Sequence, residues 1–214
     1  PLATILMLSE ILIHYQSKMK PEDISEKVNN IREHVLHLSG IVNDVLQLSK
    51  INEGKIIFNP GENNIIELTE TVITRFRTTL KSKEVIQFKS DFNTLVCMID
   101  KQLLSQAMNN LISNALKYSP VDPKVSVEIK QVENEVLFIV KDNGIGIPEQ
   151  DRKHMFTPFF RASNTKTIQG NGLGLSILKE AVQMHKGYVT CNNNVGKGTV
   201  FTIHLPADII INYT

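Results

Sequence analysis

Cysteine is scarce in this sequence. The two cysteines among its 214 residues, Cys97 and Cys191, both lie in apolar runs typical of strands. Neither belongs to a Cys-x-x-Cys pair or is spaced from a histidine as metal ligands are, so the pattern argues against a metal or redox site. We therefore predict two reduced core thiols and a cytoplasmic protein.

Long apolar runs and an excess of one charge are also lacking. Ser9 and Glu10 interrupt the longest apolar stretch, well short of the ~20 residues that a membrane span needs. No signal peptide is visible, so we expect no membrane contact by this segment, whereas an anchor upstream of it in a longer parent protein stays compatible with the sequence. The formal net charge of +1 gives no reason to expect a nucleic-acid partner.

The first 54 residues carry two helical patterns. Apolar residues between Leu2 and Tyr15 share one helical face, and Pro21 with its acidic neighbours begins a second helix. Because this pair of helices cannot bury so wide an apolar seam between themselves, we predict an antiparallel hairpin that forms a dimeric four-helix bundle. A hairpin packed on the rest of its own chain is the alternative. The seam residues recur at heptad spacing: Ile24, Val28, Ile31, Val35, Leu38, Val42 and Val45.

Strand-like and helical patterns alternate over residues 55–206. We predict an α+β protein in which the hairpin, residues 1–54, precedes an α/β sandwich, residues 55–206, of a mixed sheet packed on helices. About the tail, residues 207–214, the sequence says little. The predicted strands are residues 56–58, 85–88, 95–99, 125–130, 135–140, 188–192 and 199–205. The predicted helices are residues 62–80, a helix capped by Asp100, residues 148–155 and residues 176–184.

A carboxylate and two glycines follow one of the predicted strands. Asp142 ends the apolar run, and Gly144 and Gly146 come directly after it. Glycine allows a positive φ and the close approach of a flat ligand. With its side chain free at the strand end, Asp142 would suit an exocyclic amine. An ordinary strand-to-loop turn is the alternative.

A second glycine cluster lies downstream. Gly170, Gly172 and Gly174 lead into a helical pattern. A glycine-rich loop that opens a helix directs unpaired N–H groups and the positive end of the helix dipole at one point, which makes an anion site. The two clusters together predict a site for a base and its phosphates.

The order of these motifs resembles the dimerisation and ATP-binding core of two-component sensor histidine kinases, over essentially the whole chain. Any one motif is weak by itself, but five in a fixed order are specific. Residues 41–55 are similar to the second bundle helix and its exit. The five motifs are residues 106–118 (QAMNNLISNALKY, the N box), 142–146 (DNGIG, the first glycine box), 156–161 (FTPFFR, the F box), 170–175 (GNGLGL, the second glycine box) and 196–201 (GKGTVF, the closing segment).

The resemblance implies a role for each matching residue. Asp142 would accept a hydrogen bond from the adenine amino group, and Asn114 would offer its amide oxygen to Mg²⁺. Asn110, Lys117 and Arg161 would be catalytic, with Lys117 neutralising phosphate charge and Arg161 reaching the γ-phosphate. The polar residues 162–169 would be a mobile lid, and Phe159 is predicted simply to pack. The implied ATP-binding set is Asn110, Asn114, Lys117, Tyr118, Asp142, Gly144, Gly146, Ile147, Arg161, Gly170, Gly172, Leu173, Gly174, Leu175 and Thr199.

Asn110 bears on the type of reaction. Gyrase-like and chaperone-type relatives place a glutamate at this position, where it activates water. An amide cannot accept that proton near neutral pH, whereas transfer to a neutral imidazole requires only positioning and charge neutralisation. The resemblance therefore implies a homodimeric kinase that uses ATP and Mg²⁺ and passes the phosphoryl group from histidine to an aspartate on a response-regulator receiver domain.

The chain departs from the family at the acceptor histidine. In the family this histidine precedes an acidic residue and a Thr-Pro-Leu segment. Pro1 and Leu2 resemble the end of that segment, which would put the acceptor about five residues further upstream. We expect this segment to bind Mg-ATP without phosphorylating itself on histidine. A nucleotide-gated dimeric scaffold without transfer chemistry and, less favoured, a gyrase-type ATP hydrolase are the alternatives.

Overall fold

The structure is a computed structural model that describes residues 1–78, 80, 82, 85–119, 121–165, 168, 170–194 and 198–214, and only the backbone of residues 51 and 52. The chain divides into two compact units, Pro1–Gly54 and Lys55–Thr214. The first unit is helical, and the second carries the described strands and the remaining helices. The predicted α+β class, a helical hairpin followed by a mixed sheet packed on helices, is confirmed.

The first unit is built from two helices, α1 (Leu2–Tyr15) and α2 (Pro21–Asn52), joined through a turn of 3-10 helix at Gln16–Lys18. Proline at the first position of α2 has its φ already set for a helix, and the acidic residues behind it complement the helix dipole. After α2 the chain turns at Gly54, whose φ of +62° suits glycine. None of the described helices combines the length and the apolarity that crossing a membrane requires.

Helices α1 and α2 pack on each other but leave much of the apolar seam uncovered within the unit. Val28, Val35 and Val42 are 49%, 46% and 55% exposed, whereas Leu8 and Leu48 are buried. One hairpin therefore leaves an apolar stripe along α2 that remains available to a partner.

The second unit contains two sheets. The five-stranded sheet has the order β2-β4-β5-β7-β6, in which β2 and β4 run parallel and the other neighbours antiparallel. The three-stranded sheet has the order β1-β3-β8 and is antiparallel. The strands are β1 (Gly61–Asn64), β2 (Ile86–Ser90), β3 (Leu95–Ile99), β4 (Val125–Val132), β5 (Glu135–Asp142), β6 (Tyr188–Asn193), β7 (Thr199–Pro206) and β8 (Ile210–Tyr213).

Three helices of the second unit contribute to one apolar core with the strands, and a fourth is a single short turn. Residues Val136, Phe138 and Val140 of β5 are at most 1% exposed. The Asp100 side chain caps α4 as predicted, because Oδ1 accepts from the N–H groups of Gln102 and Leu103 at 3.0 and 3.1 Å. The helices are α3 (Ile65–Arg77), α4 (Lys101–Lys117), α5 (Glu149–Arg152) and α6 (Gly174–Met184).

The region after Gly54 differs from the prediction. Residues 56–58 form no strand, and the Phe58 ring instead packs edge-on against His185, with 4.9 Å between ring centroids. The first strand, β1, overlaps the start of the predicted helix 62–80. Helix α3 begins later because Asn64 caps it, its Oδ1 accepting from Ile66 N at 3.1 Å. That helix ends at Arg77, and residue 79 of the prediction lies outside the described residues.

The segment set apart as a tail is part of the second unit. Residues Ala207–Ile209 form a turn of 3-10 helix, and β8 then pairs with β3, with Tyr213 opposite Leu95. The tail boundary at residue 206 is thus corrected. A strand of four residues is too short for its periodicity to be read, and its place was decided by the free edge of β3.

Both cysteines carry free thiols, as predicted. Cys97 is fully buried and Cys191 half-buried. Burial raises the pKa of each thiol to about 12, so neither is a reactive thiolate near neutral pH.

Candidate functional site

Asp142 is the anchor of the loop that follows β5. Its Oδ1 accepts from Gly144 N at 2.8 Å and from Thr199 N at 3.0 Å. The prediction that this side chain is free at the strand end is therefore wrong. Both hydrogen bonds that the described residues give to this carboxylate fall on Oδ1, which leaves Oδ2 as an acceptor. Burial raises the pKa of the carboxyl, while the two N–H groups act in the opposite direction. A ligand donor at Oδ2 would stabilise the buried charge.

The loop after Asp142 packs closely against the end of α4. Ile145 N donates to the carbonyl oxygen of Tyr118 at 3.0 Å. An ideal Cβ on Gly144 would lie 2.3 Å from that same oxygen and 2.8 Å from Ser119 Oγ. Gly146 has a φ of +70°, a conformation that glycine adopts without strain. The two predicted glycines are therefore required by a close approach and by a backbone conformation, respectively.

The second glycine loop reaches the same end of α4. An ideal Cβ on Gly170 would lie 2.5 Å from Lys117 Nζ and 3.7 Å from the Tyr118 hydroxyl oxygen. Tyr118 thus contacts the Asp142 loop through its carbonyl and neighbours the downstream loop through its hydroxyl. Two loops far apart in sequence converge on one residue.

The middle of the second loop packs against the F-box segment. Phe159 N donates to Gly172 O at 3.0 Å, and Gly172, with a φ of +74°, has no room for a Cβ beside the Phe159 backbone. Phe159 itself has a φ of +65° and is 62% exposed. The prediction that its side chain simply packs is wrong, because the contact is made by the backbone. Leu173 is fully buried, and Leu175 and Ile147 are partly buried against the core.

Helix α4 presents two asparagines to this region in different ways. Asn110 Nδ2 donates to Gly174 O at 3.1 Å and so holds the start of α6. Asn114 is half-buried, and its side-chain amide makes no hydrogen bond to the residues that the structure describes. An amide oxygen without a protein donor suits Mg²⁺, a hard cation that prefers oxygen ligands.

Two cationic side chains, Lys117 and Arg161, interact electrostatically. Burial first, and then the Arg161 charge, lower the pKa of the Lys117 ammonium group. Arg161 Nη2 donates to Thr165 O at 2.6 Å and also to Ile168 O. A bound polyanion would offset the repulsion between these two charges, which fits the predicted phosphate site.

Several residues near the loops make long-range hydrogen bonds that the sequence analysis did not predict. Asn164 Nδ2 donates to Gly146 O at 3.0 Å, and Asn194 Nδ2 donates to Asp142 O at 2.8 Å. Asp151 Oδ2 accepts from both N and Oγ of Ser163 at 2.8 Å. An asparagine or aspartate in a loop or a short helix is a weak signal, because its partner is distant in sequence.

Part of the predicted site lies outside the described residues. This applies to residues 166, 167 and 169 of the predicted lid and to residues 195–197, which include Gly196 of the closing segment. Within the described residues, a cavity of about 850 Å³ borders the loop of residues 143–148 and includes Asn164 in its wall.

Comparison with known proteins matches both units. Residues 99–209 match the family described as Histidine kinase-, DNA gyrase B-, and HSP90-like ATPase, and residues 1–54 match the His Kinase A (phospho-acceptor) domain. Sensor histidine kinase WalK of Bacillus subtilis (strain 168) is 41% identical over 172 residues, which cover 78% of this chain and 28% of WalK.

Two solved structures extend this likeness to the fold. The catalytic domain of histidine kinase ThkA has a TM-score of 0.62 and 30% identity, over 70% of this chain and 96% of that domain. Histidine kinase ThkA in complex with the response regulator protein TrrA has a TM-score of 0.72 and 24% identity, over 95% of this chain and 57% of that chain. At 24% identity, the second comparison supports the fold alone.

The fold and the converging glycine loops define an ATP-binding core joined to a helical hairpin. The chain belongs to the histidine kinase-, DNA gyrase B- and HSP90-like ATPase family, and with its His Kinase A match it is a two-component histidine kinase core, as the motifs predicted. The His Kinase A match also implies dimerisation. The chain spans 28% of the length of WalK.

Proposed function

We propose that residues 55–214 bind Mg-ATP between the two glycine loops, and that the whole protein transfers the γ-phosphoryl group to a histidine and then to an aspartate of a response-regulator receiver domain. The observation that carries the nucleotide site is the convergence of both loops on Tyr118. Its carbonyl accepts from Ile145, and its hydroxyl lies 3.7 Å from an ideal Cβ on Gly170. Tyr118 would flank the nucleotide between base and phosphates.

At the end of the site that would hold the base, Asp142 would recognise adenine. The Oδ2 atom of a buried carboxylate would accept from the exocyclic amine, while Oδ1 stays bonded to Gly144 and Thr199. Guanine would turn a carbonyl oxygen toward the same carboxylate and leave two buried acceptors facing each other. The site should therefore prefer adenine nucleotides.

At the phosphate end, charge and backbone donors would act together. Lys117 and Arg161 supply two cations, and the loop from Gly170 to Gly174 precedes an α6 helix of 11 residues, whose N-terminus favours anions. Asn114 would hold Mg²⁺ through its side-chain oxygen. The metal would supply further neutralisation of phosphate charge during transfer.

The side chain of Asn110 favours transfer over hydrolysis. It is an amide, and it donates to Gly174 O, so it is engaged in holding α6 and cannot accept a proton from water. A neutral imidazole nitrogen needs no base. It would form the N–P bond as the bond between the γ-phosphorus and the bridging oxygen breaks and ADP leaves.

The helical unit, residues 1–54, would serve as the dimerisation and phosphotransfer element. The stripe of exposed valines on α2 supports a homodimeric four-helix bundle. That ThkA is described in complex with a response regulator supports a receiver domain as the second partner. The two reduced thiols support a cytoplasmic location.

Calorimetry with the 214-residue chain tests the nucleotide site. We expect Mg-ATP to bind at least ~10-fold more tightly than Mg-GTP, because one buried donor–acceptor match is replaced by a mismatch. Equal affinity for the two nucleotides, or no binding of ATP, would overturn the proposal.

A labelling experiment tests the chemistry of this segment. None of its six histidines precedes an acidic residue and a Thr-Pro-Leu segment. Incubation with γ-labelled ATP should therefore leave no alkali-stable label on the protein. Steady phosphate release that is lost in Asn110→Ala would instead indicate a hydrolase.

A further inference from the structure

We infer that Asn164 is a positioning residue that couples the loop at the adenine end to Arg161, and that it thereby helps the site to distinguish ATP from ADP. The inference rests on the proposed function, since it takes adenine to lie beside Asp142 and the γ-phosphate to lie near Arg161. The two ends are linked through a short series of contacts among described residues.

The first contact joins Asn164 to the adenine loop. Asn164 Nδ2 donates to Gly146 O at 3.0 Å. Gly146 lies four positions after Asp142, in the same loop, and Asp142 Oδ1 holds the intervening Gly144 at 2.8 Å. The carbonyl oxygen that accepts from Asn164 therefore belongs to the loop that would bind the base.

The second contact joins the same turn to Arg161. The residue after Asn164, Thr165, accepts from Arg161 Nη2 through its carbonyl oxygen at 2.6 Å. The turn is compact because Thr165 N and Thr165 Oγ1 both bond to Ala162 O, at 3.0 and 2.7 Å. Thr165 is only 7% exposed. A shift at Asn164 is therefore carried directly to the carbonyl that holds the guanidinium group.

A second anchor holds the beginning of the turn. Asp151 on α5 accepts from Ser163 N and from Ser163 Oγ, and these hydrogen bonds lower the pKa of the carboxyl. This contact leads to α5 and not to the Gly146 loop. Of the two anchors, only Asn164 links the turn to the adenine end.

The Arg161 guanidinium is occupied by backbone carbonyls in this structure, those of Thr165 and Ile168. These bonds use only Nη2, so the N–H groups of Nε and Nη1 would make the contact with a γ-phosphate. When a base fixes the Gly146 loop, Asn164 fixes the position of the Thr165 carbonyl, and so limits the orientations that Arg161 can adopt. Without Asn164, this preorganisation of Arg161 for the third phosphate is lost, while the contacts to adenine remain.

Calorimetry with Mg-ATP and Mg-ADP tests the coupling. In Asn164→Ala we expect ADP affinity within about two-fold of the unmodified chain and a loss of at least ~5-fold in the preference for ATP, the lower end of a typical coupling between sites. Arg161→Ala should abolish the preference. Adding Asn164→Ala to Arg161→Ala should cause no further loss, because both act through one contact series.

Ser163→Ala is the matched control. It removes one hydrogen bond to Asp151 but keeps the bond from Ser163 N, so the preference for ATP should not change. If Asn164→Ala keeps the full preference while Arg161→Ala loses it, or if Asn164→Ala weakens ATP and ADP equally, the inference is wrong and the proposed site stands. If the unmodified chain binds neither nucleotide, the proposed function itself fails.

Hydrogen exchange gives a second measurement that needs no variant. The Thr165 amide, which is bonded to Ala162 O, should exchange more slowly when Mg-ADP is bound, since the base acts on it through Gly146 and Asn164. Unchanged exchange at saturating Mg-ADP would overturn the coupling even if Asn164→Ala failed to fold.

Discussion

The α-carbon of Gly144 packs so closely on the end of α4 that an ideal Cβ would lie 2.3 Å from the carbonyl oxygen of Tyr118. The close approach lets Tyr118 O accept from Ile145 N at 3.0 Å. The Asp142 loop is therefore positioned by the helix that also carries Asn110, Asn114 and Lys117. This contact places the base end of the proposed site next to its phosphate end.

Gly144→Ala should damage both stability and binding. The new methyl group would meet backbone atoms that cannot move aside, so we expect a loss of about 1–3 kcal/mol in the free energy of unfolding, as for overpacked sites, together with loss of ATP binding. Gly40→Ala is the control, because nothing lies within 4 Å of its ideal Cβ and it sits in the middle of α2. There we expect a gain of up to about 1 kcal/mol from helix propensity. Denaturant unfolding and calorimetry measure both effects, and unchanged ATP affinity in Gly144→Ala would contradict the geometry.

Asp142→Asn should separate function from stability. The amide oxygen can still accept from Gly144 and Thr199, but the amide nitrogen would face the adenine amine as a second donor. Losing a hydrogen bond to a charged group and leaving a donor unpaired costs about 3 kcal/mol, or about 100-fold in ATP affinity. The helical unit should remain dimeric.

The same change should raise the melting temperature near neutral pH. Burial raises the pKa of the Asp142 carboxyl, so its ionisation opposes folding above its unfolded pKa, and this unfavourable contribution grows as pH rises through the folded pKa. The asparagine lacks this penalty. Asp122→Asn, at an exposed acid of the same sheet end, should change neither affinity nor stability. Calorimetry measures the ATP affinity and thermal melts measure the stability. Unchanged ATP affinity in Asp142→Asn would count against the proposed site.

His185 should make the second unit less stable in mild acid. Its Nδ1 donates to Ala181 O at 2.7 Å and its Nε2 accepts from Asp100 N at 3.0 Å, so the imidazole is neutral. Burial is the main cause that lowers its pKa below 6.5, although the Ala181 carbonyl and Asp100 act in the opposite direction. Since the unfolded chain takes up this proton first, the free energy of unfolding should fall as pH drops below about 6.5, by at most about 1.4 kcal/mol per pH unit.

The control for this titration is a variant at an exposed histidine. His185→Asn should flatten the acid limb of the stability curve, because asparagine keeps an acceptor but binds no proton. His14→Asn, on the exposed surface of α1, should leave the slope unchanged. Urea unfolding between pH 5 and 8 measures the slope, and an equal slope in both variants would show that His185 is not the group responsible.

The exposed valines of α2 should hold the dimer. Val35 and Val42 are 46% and 55% exposed in one hairpin, and two carboxylates placed there would have to be buried without partners in a bundle. The variant Val35→Glu with Val42→Glu should be monomeric by sedimentation equilibrium while ATP affinity stays within about two-fold of the unmodified chain, because the nucleotide site lies in the other unit. Asn29→Glu adds charge at an exposed position of α2 that does not share a helical face with these valines, so this variant should remain dimeric. If the double variant remained dimeric, the dimer interface would not involve these valines.

Local patterns were reliable wherever one segment contained its own signal. The cap at Asp100 with its helix, the apolar seam of α2 and the two glycine loops could be read directly. The predicted strand at residues 56–58 is wrong, because the apolar side chain of Phe58 packs against His185 and is not part of a sheet. Strands β1 and β8 were missed because each is four residues long and is defined by pairing with β3.

The sequence by itself determined the order of the motifs, the chemistry of the residues at the site and the class of protein, because glycine, asparagine and carboxylate side chains have fixed conformational and bonding properties. Only the tertiary structure decided which of those residues meet. In that structure Asp142 Oδ1 accepts from Thr199 N, the Phe159 side chain is exposed, and Asn164 Nδ2 donates to Gly146 O. Contacts between residues that are distant along the chain depend on the geometry of the whole fold, and no local pattern records them.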